Sequence, residues 1–358
     1  MKELINMISD PIFSFPATLI CFYWALKNYK VFGSKKFLWT FLACFTPVCL
    51  WFFADNNFFK IITTPDNIPI SILMGLVGFL TWFSLHKAAI NDTRIEAGEC
   101  PVEAMPENRE KVWCWPNLVY IELFAIILTT VFLIVWAIVF KAPLEQPANP
   151  TWAPNPAKAP WYFLGLQEML VYFDPWMAGV VLPGIILVGL ILLPYIDTNP
   201  KGNGYYTFKE RKMAVSLFLF GWLVLWIYLI LIGTFLRGPN GTFYGPFEFW
   251  DFHKVVAENN INLSEIIWIK MLNTAFPKNL VVREIFGIIM SVAYLVVIPP
   301  LFLKMNKGKQ MLESLGMIRY YIFMFLLLSM VSLPIKMFLR WTMGLKYIVA
   351  LPEWELNL

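Results

Sequence analysis

The sequence predicts an all-α integral membrane protein, a helix bundle of about eight transmembrane helices. Three observations carry that prediction. Hydrophobic residues fill 59% of the 358 positions and charged residues only 15%, whereas a soluble domain carries about a quarter charged residues. Mean hydropathy is +0.62. Aromatic residues reach 17%, with 16 Trp, and Trp and Tyr collect where a membrane meets water.

The apolar residues are gathered in runs near the roughly 20 residues that a spanning helix needs. In chain order the spans are Ile12–Leu26, Phe37–Phe53, Ile68–Leu85, Leu118–Phe140, Met177–Tyr195, Ala214–Leu236, Ile285–Leu303 and Met317–Phe338. The first is short. The last contains Pro334, where a kink is expected. No basic leader region or small-residue cleavage site precedes the first run, which reads as a retained helix.

Charge sets the threading, because short cytoplasmic loops are rich in Lys and Arg. Lys27, Lys30, Lys35 and Lys36 follow the first span; Lys87, Arg94, Arg109 and Lys111 follow the third. Lys201, Lys209, Arg211 and Lys212 follow the fifth, and Lys304, Lys307 and Lys309 the seventh. These are alternate loops, so both termini are expected on the positive side of the membrane. The long segments Lys141–Trp176 and Arg237–Glu284 then also lie outside. Six prolines between Pro143 and Pro160 stiffen the first of them, so it reads as a shaped functional loop rather than a linker. Within the second, Ile261–Leu272 reads as a short interfacial helix, a packing element or a cover.

Several function classes are excluded. A net charge of +4 without a Lys/Arg block gives no nucleic-acid surface. Cys21, Cys44 and Cys49 fall in apolar runs and read as packing residues. Cys100 and Cys114 flank an acidic loop and read as free thiols. No Cys-x-x-Cys-His string is present. The two histidines, His86 and His253, sit on opposite predicted sides. His86 reads as a helix-end or headgroup contact.

Two strings say more. Trp115-Pro116-Asn117 opens the fourth span. Gln146-Pro147-Ala148-Asn149-Pro150 and Ala159-Pro160-Trp161-Tyr162-Phe163 follow it across the outer loop. In order and spacing, from about Trp113 to Arg237, this resembles the C-terminal half of cytochrome b, the subunit IV type of Rieske/cytochrome b complexes (bc or bf). The resemblance implies a membrane subunit of a quinol:cytochrome c-type oxidoreductase that forms part of the positive-side quinol-oxidation site. It implies a quinol or quinone substrate, menaquinone or ubiquinone, at the subunit interface. It also implies b haems and an iron–sulfur cluster on partner subunits: a haem-bearing cytochrome b N-terminal-like subunit, a Rieske protein and a c-type cytochrome. The complex is expected to be dimeric and to lie in an energy-conserving membrane, the bacterial cytoplasmic membrane. Two histidines cannot supply the four axial ligands of two b haems, in keeping with the split arrangement.

The chain departs from the family at one point. Where the family motif reads Pro-Glu-Trp-Tyr, Pro160 stands in place of the Glu. Quinol oxidation releases protons, and a carboxylate near the ring can accept one; proline cannot. Glu168, in an apolar segment, is the candidate replacement, or else a residue at the aqueous rim that pairs with a partner subunit; Asp174 and Tyr172 are weaker candidates nearer water. The quinol-binding residues implied by the resemblance are Pro160, Trp161, Tyr162, Phe163 and Glu168, with Tyr162 and Glu168 in the chemistry. No metal ligand set is read.

The chain divides into four regions on this reading. Residues 1–112 are a three-helix extension without a subunit IV counterpart, and 113–240 the cytochrome b-like core. Residues 241–284 form the outer excursion, and 285–358 two further spans and a tail. The missing Glu keeps open a second reading, a Rieske-less quinol dehydrogenase subunit feeding multihaem cytochromes. A transporter is disfavoured because no internal repeat is visible.

Overall fold

A computed structural model describes residues 1–108, 112–139, 146–160, 163–199, 204–351 and 357. Among them the chain is helical, with two isolated bridges and no sheet. The expected all-α membrane bundle is therefore what the chain forms. Seven helices are long and apolar enough to cross a membrane, or eight if the bent pair at the N-terminus counts as one span.

That pair is α1 (Lys2–Ser9) and α2 (Pro11–Lys27), which meet at 77°. Asp10 makes the corner: its carboxylate accepts the Ile12 amide at 3.0 Å, and Pro11 opens the new helix, where a missing N–H costs nothing. The other spans are α3 (Lys35–Phe53), α5 (Ile68–Glu96), α6 (Cys114–Val139), α8 (Met177–Ile196), α9 (Lys212–Leu236), α11 (Leu280–Phe302) and α13 (Met317–Met343). Between them lie the short helices α4 (Asn56–Thr63), α7 (Leu164–Met169), α10 (263–271) and α12 (Asn306–Leu315). Pro334 lies inside α13, which continues across it.

Contacts at the two ends of the bundle fix which loops share a face. On one face Lys2 pairs with Asp55 at 2.6 Å and the Asn6 side-chain oxygen accepts the Phe247 amide at 3.0 Å. Phe247 packs against Trp51, Phe52 and Phe58. Arg340 pairs with Glu258 at 2.7 Å on the same face. On the opposite face Asp92 gathers Tyr29 Oη at 2.9 Å, Thr207 Oγ1 at 2.5 Å and the amides of Phe208 and Lys209 at 3.1 and 3.0 Å. Glu96 there pairs with Lys30 and Lys209. Three of the four loops that the Lys/Arg count groups together therefore share a face.

The first spans pack directly on the segment that carries the second motif string. Phe15 of α2 lies in the main core with Met169, Tyr172, Tyr228 and Met337. Ile70 of α5 is buried against Leu164, Ile227 and Ile230. In contrast, α3 and α6 bury no residue. Cys44 and Cys49, expected to pack in a core, lie on α3, where Cys44 is exposed and Cys49 half-exposed. The apolar run gave no direction for the face each helix buries. His86 also differs from expectation. The third span continues to Glu96, so His86 lies within the helix, stacked on Trp82 with Nδ1 2.6 Å from the Gly33 carbonyl.

Candidate functional site

The Pro-rich loop enters the bundle through a clamp. On α7 the Gln167 side-chain carbonyl accepts the Ala159 amide at 2.7 Å, and its amide donates to the Ala157 carbonyl at 2.8 Å. One side chain thus fixes the backbone on both sides of Lys158. Farther out, Asn155 and Asn240 bond reciprocally at 2.9 and 2.7 Å, and Asn240 adopts φ 59°. This conformation is one that Asn tolerates better than most residues. The loop is therefore pinned at both α7 and the start of the excursion.

Helix α7 can sit this close to α9 because Gly165 faces Ile230 and Trp226, where a Cβ would stand 3.3 and 3.4 Å from their side chains. Small residues allow such approach between membrane helices. The approach buries Glu168 to 3% exposure. Arg237, just past the end of α9, meets it bidentately: Nε to Oε2 at 3.0 Å and Nη2 to Oε1 at 2.8 Å. Tyr172 Oη donates to Oε1 at 3.1 Å. Burial and the Glu168 charge together push the Tyr172 phenol well up. A buried carboxylate needs such partners, since isolated burial of a charge is costly.

Lys158 points into the same region. Its Nζ donates to the Thr234 carbonyl at 2.6 Å, in the wide π-type last turn of α9, and lies 4.9 Å from the centre of the Trp250 ring. Burial pulls this amine down to about 8, against the attraction of Glu168. Beside it, the buried Thr234 Oγ1 and Trp250 Nε1 have no hydrogen-bond partner among the described residues.

Of the residues expected from the sequence, Trp161 and Tyr162 lie outside the described residues. Pro160 is exposed and its carbonyl accepts the Phe163 amide at 2.8 Å; Phe163 is exposed. Asp174 and Tyr172, expected nearer water, are 2% and 1% exposed. The C-terminal tail helps bury Asp174, which accepts the Met177 amide at 2.7 Å with one oxygen and the Asn357 amide with the other, and Tyr172 lies in the main core with its hydroxyl on Glu168. Lys158, Gln167, Thr234 and Arg237 went unread as site residues. Lys158 had one legible signal, being the lone charge between Gln146 and Pro160. Arg237 had none beyond following an apolar run.

Fold and site together define a multi-span helical membrane protein with an ion-paired polar cluster where a Pro-rich loop re-enters one end of the bundle. A model of the cytochrome b (C-terminal)/b6/petD family matches residues 147–240, the stretch that builds this cluster and about a quarter of the chain. The resemblance carried by the second string is shown there, and across that stretch the chain is cytochrome b-like, whereas Trp115-Pro116-Asn117 lies before the matched residues. No solved structure matches it.

Proposed function

We propose that this chain is the non-haem-ligating, subunit IV-like subunit of a quinol:cytochrome c-type oxidoreductase and forms part of its positive-side quinol-oxidation site. The observation that carries this reading is the position of the family match. It falls on the loop, clamp and buried Glu168–Arg237 pair. On this reading Pro160, Trp161, Tyr162 and Phe163 are quinol-binding residues, and Tyr162 takes part in the chemistry. Glu168 borders the pocket as its carboxylate. Arg237 and Tyr172 hold both of its oxygens, which fixes its orientation at the edge of the pocket.

The partners follow from what the chain contains. His86 and His253 belong to opposite faces of the bundle and do not fit a bis-histidine haem. The b haems therefore fall to a cytochrome b N-terminal-like partner, and the one-electron acceptors to a Rieske protein and a c-type cytochrome. The bare α6 supports such a partner, since none of its residues is buried among the described residues. The quinone is menaquinone or ubiquinone, the complex a dimer in the bacterial cytoplasmic membrane, and both termini are on the positive side. The experiment is purification of the complex from native membranes through a tag on this chain. Co-purifying b-haem and iron–sulfur subunits with quinol-dependent cytochrome reduction are expected. Multihaem cytochromes without a Rieske protein would favour the second reading. Neither set of subunits, with no quinol oxidation, would overturn both.

A further inference from the structure

We propose that Lys158 is the proton-accepting residue at this site, as a neutral amine that takes a proton from a quinol hydroxyl held beside Thr234 and Trp250. The inference rests on the quinol-site reading above and deepens it.

Four observations converge. Pro160 removes the carboxylate from the motif, and Lys158 lies two residues before it. Gln167 clamps the backbone on both sides of Lys158, which fixes where the amine can reach. The nearest carboxylate, Glu168, already spends both oxygens on Arg237 and one on Tyr172. Finally, Thr234 Oγ1 and Trp250 Nε1 are buried without a partner among the described residues, on the two residues that Lys158 touches. Buried polar atoms are nearly always satisfied. An acceptor and a donor left open around one amine suit a hydroxyl or carbonyl oxygen of a quinone-type ring.

The chemistry balances simply. The quinol O–H bond breaks, an N–H bond forms on Lys158 and the ammonium results. One electron leaves the quinol for a one-electron acceptor of the iron–sulfur or haem class on a partner subunit. Lys158 is only partly buried, so the ammonium returns its proton to water on the outer side. An amine with one carbonyl partner and an aromatic ring has no fixed counterion of its own, unlike Arg237. The charged groups around it are few. Glu168 attracts it, and Arg237 offsets Glu168. On the segment that carries Trp250, Lys254 approaches Glu248 at 3.9 Å and Asp251 accepts the His253 amide at 2.9 Å. Its fall to about 8 puts the neutral form within working range, the condition for an efficient base.

The test is quinol-dependent acceptor reduction by the assembled complex from about pH 6 to 10, a range that brackets the lysine's titration. The wild-type rate should rise with pH through about 8 as the amine loses its proton. Lys158→Met should lose about 10²–10⁴-fold, the usual cost of a missing general base, and lose the rise. Lys158→Arg keeps the charge and the bond to Thr234 but cannot deprotonate, so it should fail equally. Thr234→Val should raise the quinol KM without moving the pH midpoint. A wild-type rate that is flat across this range overturns the proposal without any variant. So does an Arg variant with wild-type rate, which would make the charge, not the proton, the functional property. A wild-type complex that oxidises no quinol at any pH defeats the quinol-site reading itself.

Discussion

Removing Arg237 should cost more than removing Arg237 and Glu168 together. The Glu168 side chain is 2% exposed and Arg237 17%, joined through two short hydrogen bonds. Arg237→Met leaves the carboxylate in an apolar pocket with Tyr172 as its remaining side-chain partner. Breaking a buried pair from one side typically costs about 3–5 kcal/mol. The double variant Arg237→Met, Glu168→Met removes both charges, and apolar replacement of a whole buried pair is often neutral or better. Its stability should therefore lie within about 1 kcal/mol of wild type, with a coupling between the sites of several kcal/mol. Arg237 also donates to the Gly241 carbonyl at 3.0 Å and lies 5.5 Å from the Phe243 ring. The double variant should for that reason loosen the start of the excursion even where global stability recovers. Equilibrium unfolding of the purified protein in mixed micelles gives all four corners of the cycle. Additive effects, or a single Arg237→Met cost below about 1 kcal/mol, the range of exposed pairs, would refute a buried pair.

Asp92→Ala strands a phenol, a hydroxyl and two amides at the junction of α5 with the 204–211 loop; a loss of about 2–4 kcal/mol should appear as protease cleavage in that loop. Gly287→Ala drives a Cβ into the Ile348 carbonyl oxygen, so the tail should detach from α11 and a label at Lys346 should become mobile in spin-label spectra. The Lys2 ammonium holds the Asp55 carboxyl below its usual range, helped by the Phe58 and Asn57 amides. A depressed carboxylate pKa stabilises the folded state above the unfolded value and loses that contribution as pH falls through the folded one. Docking of α1 should therefore weaken only in acid below the ordinary aspartate range, and Asp55→Asn should remove that dependence in hydrogen exchange of residues 1–10.

The spans were legible because membrane burial is a local property. Twenty apolar residues in a row must be helical to satisfy their backbone in hydrocarbon, whichever helices they meet. Span ends were less legible. The third helix runs on to Glu96 because Asn91, Asp92 and Glu96 find partners in loops far along the chain. Hydropathy sees only that those residues are polar. At the site, the motif strings and the missing Glu could be read directly, and so could Glu168 as an ionisable residue in an apolar run. Its partner could not.

By itself, then, the sequence determined the class of protein, the order of its spans, the grouping of three basic loops on one face, and the Pro-rich motif stretch on which the family match falls. Only the tertiary structure decided what the polar residues of that segment do. Lys158 meets Thr234 across 76 positions, Glu168 meets Arg237 across 69, and Asp174 meets the tail across 183. Hydrophobic patterning constrains which residues leave water, but not which of the buried charges face one another. That choice is set by how closely two helices approach, and here by Gly165, whose missing side chain lets α7 lie against α9 and bring carboxylate, guanidinium and amine to one end of the bundle.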